Sequence, residues 1–173
     1  MKYFAIFMTA LVLVGVLIFG QMPTQVQNGQ VLRIHIRANS NSEVDQNVKY
    51  QVKDALVDAL IPLLAYCENK QEAYICLNQN LKNIENIVNN TLKSKKIEYK
   101  GSAVLKEEYF PTRSYEKTTL PSGNYSALVV ELGDASGNNW WCLVYPPLCF
   151  INGSVKVSAY KSRIIEIINS VFG

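Results

Sequence analysis

From Tyr3 to Gly20 the chain runs for eighteen residues without a charge, and Lys2 stands directly before that run. As a helix it would reach about 27 Å at about 1.5 Å per residue, just short of a bilayer core of about 30 Å. A soluble helix of this length would carry polar residues at helical spacing along its wet face, and this segment has no such stripe. Residues 1–20 are therefore expected to be a signal peptide or signal anchor, with Lys2 ahead of the apolar run sending everything that follows it across the membrane. Ile18 and Gly20 occupy the places where a signal peptidase requires two small residues, so released and anchored forms both stay open. Residues 21–30, polar and containing Pro23 and Gly29, have the composition of a linker. Residues 31–173 are expected to form a single extracytoplasmic globular domain.

Composition narrows what that domain does. Hydrophobic residues make up 49% of the chain and charged residues 18%, enough to bury a core. A net charge of +3 is too mild to announce a nucleic-acid partner. The one histidine, His35, rules out every site built on a histidine pair, and the cysteine spacings do not match zinc knuckles, so neither a metal nor another cofactor is expected.

Val31–Arg37 alternates, with Leu32, Ile34 and Ile36 on one face and Arg33, His35 and Arg37 on the other, which predicts a strand with one wet face. Ser42 or Asn41 then offers a helix cap, and Val44, Val48, Val52, Leu56, Leu60 and Leu63 recur at helical spacing until Pro62, which should kink or stop the helix near Ile61. A second helix is expected from Ala73 to Leu92, and strands over Ile97–Leu105, Tyr125–Leu132 and Trp140–Tyr145. Phe110–Asn124, with two prolines, reads as a long ordered loop. Gly133–Asn139 reads as a hairpin turn between antiparallel strands. A helix over Tyr160–Phe172 closes the chain. This order predicts an α+β fold: two layers, a mixed and mostly antiparallel sheet, and helices packed on one face.

No catalytic motif with a nucleophile, phosphate loop or metalloprotease spacing is present. Cys142 and Cys149 flank Pro146-Pro147, a bend that would bring the two thiols within disulfide range, and Cys67 with Cys76 is a second possible pair if the first two helices are antiparallel. Both tryptophans, Trp140 and Trp141, lie just before that bend; neighbours on a strand face opposite ways, so one is free for a partner while the other packs. A stiff aromatic surface of this kind loses little entropy on binding, whereas the same residues also serve as a packed corner. An envelope hydrolase acting on peptidoglycan, with Asp45 or Glu43 beside His35 and Asn39, is the competing class; a structural envelope protein is a third.

Asn139-Trp140-Trp141-Cys142 followed by Pro146-Pro147-Leu148-Cys149, Arg37-Ala38-Asn39-Ser40-Asn41-Ser42 with Asp45-Gln46, and Phe110-Pro111-Thr112-Arg113 with Leu120-Pro121-Ser122-Gly123-Asn124-Tyr125 together resemble the stage II sporulation protein R family. The resemblance implies a signal made in the forespore and exported to the space between forespore and mother-cell membranes. Its partner would be a membrane-embedded aspartic protease of the mother cell, stage II sporulation protein GA, which processes pro-sigma-E. The residues of these motifs considered for partner contact are Arg37, Asn39, Asp45, Trp140, Trp141, Pro146 and Pro147. Cys67 and Cys76 fall outside the family pattern.

Overall fold

Alternation makes Leu32–Arg37 a strand, but where that strand sits decides the architecture. A computed structural model of the chain describes residues 28–115, 118–148 and 160–172. The expected membrane segment, most of the linker, and Cys149 lie outside the described residues. No helix among the described residues is long and apolar enough to cross a membrane.

Among the described residues the fold is mixed α+β, with four α-helices and a mostly antiparallel sheet. After a short 3-10 turn at Asn28–Gln30 come β1 (Leu32–Arg37), α1 (Glu43–Leu64), α2 (Lys70–Gln79), α3 (Leu81–Ser94), β2 (Gly101–Phe110), β3 (Arg113–Tyr115), β4 (Thr118–Leu120), β5 (Gly123–Leu132), β6 (Asn139–Tyr145) and α4 (Lys161–Phe172). The main sheet has the order β2-β5-β1-β6. β1 runs parallel to β5, with Arg33 opposite Ala127, and antiparallel to β6, with His35 opposite Trp141. β2 pairs with β5 over its full length, from Gly101 opposite Leu132 to Phe110 opposite Gly123.

This order corrects the hairpin expectation. β5 and β6 do run in opposite directions, but β1 lies between them, so residues 133–138 bridge across the end of β1 and do not join two paired strands. The bridge is stitched to the segment that leaves β1: Gly137 N–H donates to Ala38 O (2.9 Å) and Ser136 N–H to Asn39 O (3.1 Å). Gly133, with φ +56°, lies so close to Asn39 that a Cβ would collide with Asn39 Oδ1.

One sheet face packs under the helices. Ile34, Ile36, Leu128, Val130 and Val144 meet Val52, Leu56 and Leu60 of α1, Ile84 and Val88 of α3, and Ile164 and Ile168 of α4. The opposite face is also buried, which overturns the reading of β1 as half wet. Arg33 is fully buried and His35 is 4% exposed. The cause is the segment expected to be a loop, because β3 and β4 form a two-stranded ribbon that places Leu120 in a second apolar cluster with Phe110, Tyr125, Val129 and Leu143. The architecture is thus a helix layer and a sheet with a ribbon beneath, one layer more than the two expected. Within that second cluster the Arg33 guanidinium lies 4.1 Å from the Phe110 ring centroid and 4.8 Å from that of Tyr125, and Nη2 donates to the Tyr115 hydroxyl (3.0 Å). A desolvated cation on an aromatic face is worth about 2 kcal/mol, so the ring pair offsets part of the cost of burying the charge.

Local chemistry sets the helix ends. Ser42 caps α1 by accepting from Asp45 N–H (3.2 Å), with Glu43 and Asp45 in the first turn opposing the helix dipole. Pro62 lies inside α1, which runs on to Leu64 before ending, and Val44, expected on the buried stripe, is 61% exposed. The single helix expected over 73–92 is two. At Asn80 the backbone leaves the helical region (φ −102°, ψ 4°), and the Asn80 side chain donates to Cys76 O (2.8 Å), capping α2 while α3 restarts at Leu81.

Gly133→Ala places a Cβ both at positive φ and against Asn39, and is expected to destabilise the protein by about 1–3 kcal/mol. Urea unfolding of the full-length protein checks this; a change under a few tenths of a kcal/mol would mean that the bridge does not depend on this close approach.

Candidate functional site

The turn after β1 is organised around one carboxylate. Asp45 Oδ2 accepts from Asn39 Nδ2 (2.9 Å) and Ser40 Oγ (2.6 Å), and its Oδ1 accepts from the Tyr99 hydroxyl (2.6 Å). Burial pushes the Asp45 carboxyl up, but the bonds from Ser40, Tyr99, Asn39 and Ser42 outweigh it and hold the pKa below the ordinary value. Asn39 works in the other direction as well: its Oδ1 accepts from Asp134 N–H (2.9 Å) and its carbonyl from Ser136 Oγ (2.6 Å). Asn41 Oδ1 accepts from Asn138 N–H (2.7 Å). The Asn-Ser motif therefore ties the β1–α1 turn to the bridge that leads into β6. Asn39 and Asp45 are spent on that junction.

Arg37 joins three strands. Its guanidinium donates to Glu131 Oε1 (2.8 Å) on β5 and to Glu108 Oε1 on β2, with Lys106 Nζ 3.5 Å from the other Glu108 oxygen. His35, one turn of the pleat away, lies with Nδ1 3.5 Å from Glu108 Oε1, and its ring centroid is 5.3 Å from that of Trp141 and 5.9 Å from that of Phe110. Burial lowers the His35 pKa, against the raising effects of Asn139 and Glu108, so the ring is neutral at neutral pH. The hydrolase pocket expected from Asp45 or Glu43 beside His35 and Asn39 is not assembled: Glu43 is exposed in the first turn of α1. Asp45 is saturated by donors with a lowered pKa, while His35 faces the ribbon side of the sheet, stacked against Trp141.

An accessible concavity lies elsewhere, along β6. It is a cleft of about 580 Å³ whose floor is Asn138–Trp141. α1 forms one wall through Lys49 and Tyr50, and the ribbon forms the other through Arg113 and Tyr115. β6 is an edge strand, hydrogen-bonded to β1 on one side alone among the described residues. Both indoles are half-buried: Trp140 packs toward the helix-side core and Trp141 toward the ribbon-side cluster. The expectation of one packed and one free indole is replaced by a pair that frames the edge from both faces. Pro146 and Pro147 are buried, so the Pro-Pro bend belongs to packing and not to the accessible surface. The Arg113 guanidinium lies 4.2 Å from the Trp141 ring centroid. Lys49, 1% exposed, donates from Nζ to Gln46 Oε1 (2.7 Å) and Asn138 O (3.1 Å) and sits 4.8 Å from the Tyr50 centroid; burial lowers its pKa.

Sequence reasoning missed Lys49 and Arg113 as members of one site. A lysine directly beside Val48 in the buried stripe was the available signal for the first; the second needed the ribbon. Of the cysteines, Cys142 is buried in β6 and its expected partner Cys149 lies outside the described residues. Cys67 and Cys76 are free thiols, both directed at Leu63 O (3.5 and 3.9 Å), and burial, reinforced by Cys76, pushes the Cys67 thiol up to about 12.

Asp45→Ala strands the donors of Asn39, Ser40 and Tyr99 and is expected to cost about 3 kcal/mol in urea unfolding at neutral pH. Because the folded pKa lies below the unfolded value of about 3.9, the Asp45 contribution is present above that pH and lost as pH falls through the folded value. The Asp45→Ala difference should therefore shrink in acid. His35 has the opposite charge type with the same sense of slope: the unfolded chain binds its proton first, so stability falls as pH drops below about 6.5. His35→Gln should flatten the stability profile in that window. A profile that keeps the wild-type slope would assign it to another group.

The Stage II sporulation protein R family profile matches residues 28–155. The chain is 32% identical to Stage II sporulation protein R of Bacillus subtilis (strain 168) over 125 residues, 72% of this chain and 56% of that protein. The chain thus spans about half the length of the curated relative it matches. No solved structure matches it.

Proposed function

The chain belongs to the stage II sporulation protein R family and so has a role in sporulation, and from that premise we propose that it is an exported signal that activates the membrane-embedded protease responsible for processing pro-sigma-E in the mother cell. The observation that carries this reading is the placement of the family's Trp-Trp pair. Trp140 and Trp141 lie half-buried along a cleft at the β6 edge of the sheet, with the exposed Arg113 over the Trp141 ring. The family's polar residues Asn39 and Asp45 are committed to the β1–α1 junction, which leaves the aromatic edge as the surface able to act by contact. The uncharged run at the N-terminus supports delivery across a membrane. Activation then proceeds by population shift: the signal binds the active arrangement of the protease more tightly than its resting one, and by that difference favours assembly.

The test is pro-sigma-E processing in cells that co-produce the receptor protease, pro-sigma-E and this protein. Wild type is expected to trigger processing and a version lacking residues 1–20 is not. Trp141→Ala, with export and folded level verified, should reduce processing at least about tenfold, the scale of one contact residue at an interface. Silence of the wild type beside a receptor that responds to another activator would remove the signalling role.

A further inference from the structure

Cys67 and Cys76 are left unused by the signalling reading, and the fold brings them to one point. The last carbonyls of a helix lack a helical donor, and at the end of α1 both thiols turn to one of them: Cys67 Sγ lies 3.5 Å and Cys76 Sγ 3.9 Å from Leu63 O. Two sulfurs around one oxygen are neighbours, and the Cys76 thiol hydrogen-bonds that of Cys67. The corner between α1 and α2 is fixed by its own bonds. Cys67 N–H donates to Leu64 O (3.1 Å), Asn69 Oδ1 accepts from Glu72 N–H (2.9 Å), and Glu72 Oε2 accepts from Glu68 N–H (2.9 Å). The two thiols differ in access: Cys67 is 6% exposed, whereas Cys76 is half-buried on α2.

We propose that Cys67 and Cys76 form a reversible disulfide by exchange with a disulfide-bearing donor, a staple that closes the corner between α1 and α2. The more accessible thiol reacts first. The Cys76 thiolate attacks one donor sulfur, giving a mixed disulfide and releasing one donor thiolate; the Cys67 thiolate then attacks Cys76 Sγ and expels the second. Two cysteine thiols are oxidised to one disulfide, the donor disulfide is reduced to two thiols, and the two cysteine protons end on the donor. Burial and the neighbouring thiol push the Cys67 thiol up to about 12, which makes Cys67 a poor first nucleophile and its attack the slow step. The bond closes residues 67–76 into a loop, which restricts the unfolded chain far more than it restricts a corner already fixed. Export would place the pair in an oxidising compartment, but the exchange itself does not depend on the signalling reading.

The reduced full-length protein in a neutral detergent is incubated with oxidised glutathione, quenched in acid, alkylated with N-ethylmaleimide and digested with trypsin. Cleavage after Lys53, Lys70 and Lys82 leaves Cys67 in residues 54–70, Cys76 in residues 71–82, and Cys142 in neither. Mass spectrometry is expected to find those two peptides linked in most of the native protein and separated again by dithiothreitol. In Cys67→Ser the glutathione adduct should rest on Cys76, and in Cys76→Ser the adduct on Cys67 should form at least about tenfold more slowly. Oxidation should raise the urea midpoint of the wild type by about 1 M more than that of Cys76→Ser. Two peptides that each stay alkylated, or that link only after unfolding in urea, would overturn the disulfide. Equal reaction of the two cysteines would overturn the order of exchange, and equal urea midpoint changes in wild type and Cys76→Ser would overturn the staple.

Discussion

Everything in this domain depends on the insertion of β1 between β5 and β6. A first strand that paired at a sheet edge would leave residues 133–138 free to close a simple hairpin. Because β1 takes the central place, parallel to β5 and antiparallel to β6, the chain must cross its end to reach β6. That crossing is unfavourable unless its polar backbone is satisfied. The Asn39 carbonyl and side chain, the Ala38 carbonyl and the Asn41 side chain satisfy it, and Asp45 holds Asn39 in position from the start of α1. A short polar motif thereby links strand order, helix entry and the placement of the Trp-Trp edge.

The second constraint is that a central strand must be covered on both faces. Leu32, Ile34 and Ile36 meet the helices as alternation requires. Arg33 and His35 face the other way, and the sheet solves their burial with aromatic stacking and with the Glu108–Arg37–Glu131 pairing. The ribbon is what makes that face dry. Its own sequence, with Pro111 and Pro121 at its two ends, looks like a loop because prolines and a turn interrupt strands of only three residues. So short a pairing has little periodicity to read, and its stability comes from what it covers.

These two constraints together shape the cleft. β6 reaches the sheet edge because β1 has displaced it from β5, and the ribbon and α1 overhang that edge because each is needed to cover one sheet face. The cations and indoles thus meet through packing of elements remote in sequence: Lys49 from the second turn of α1, Arg113 from the ribbon, Trp140 and Trp141 from β6.

Read alone, the sequence established the α+β class, the main strands and helices, and the importance of the Asn-Ser turn and the Trp-Trp strand, because periodicity, caps and aromatic runs are local signals. It also supported the family resemblance that the matches bear out. It did not reveal the break at Asn80, the ribbon, the dryness of the second sheet face, or the fate of the candidate residues. Alternation shows that Arg33, His35 and Arg37 share a face but not what lies above it. A motif of Asn39 and Asp45 marks a need for polar side chains without saying whether they meet a partner or their own backbone. Tertiary structure decided those questions, since strand order and the covering of the central strand arise from contacts between residues as far apart as Arg33 and Tyr115 or Asn39 and Ser136, which no local pattern encodes.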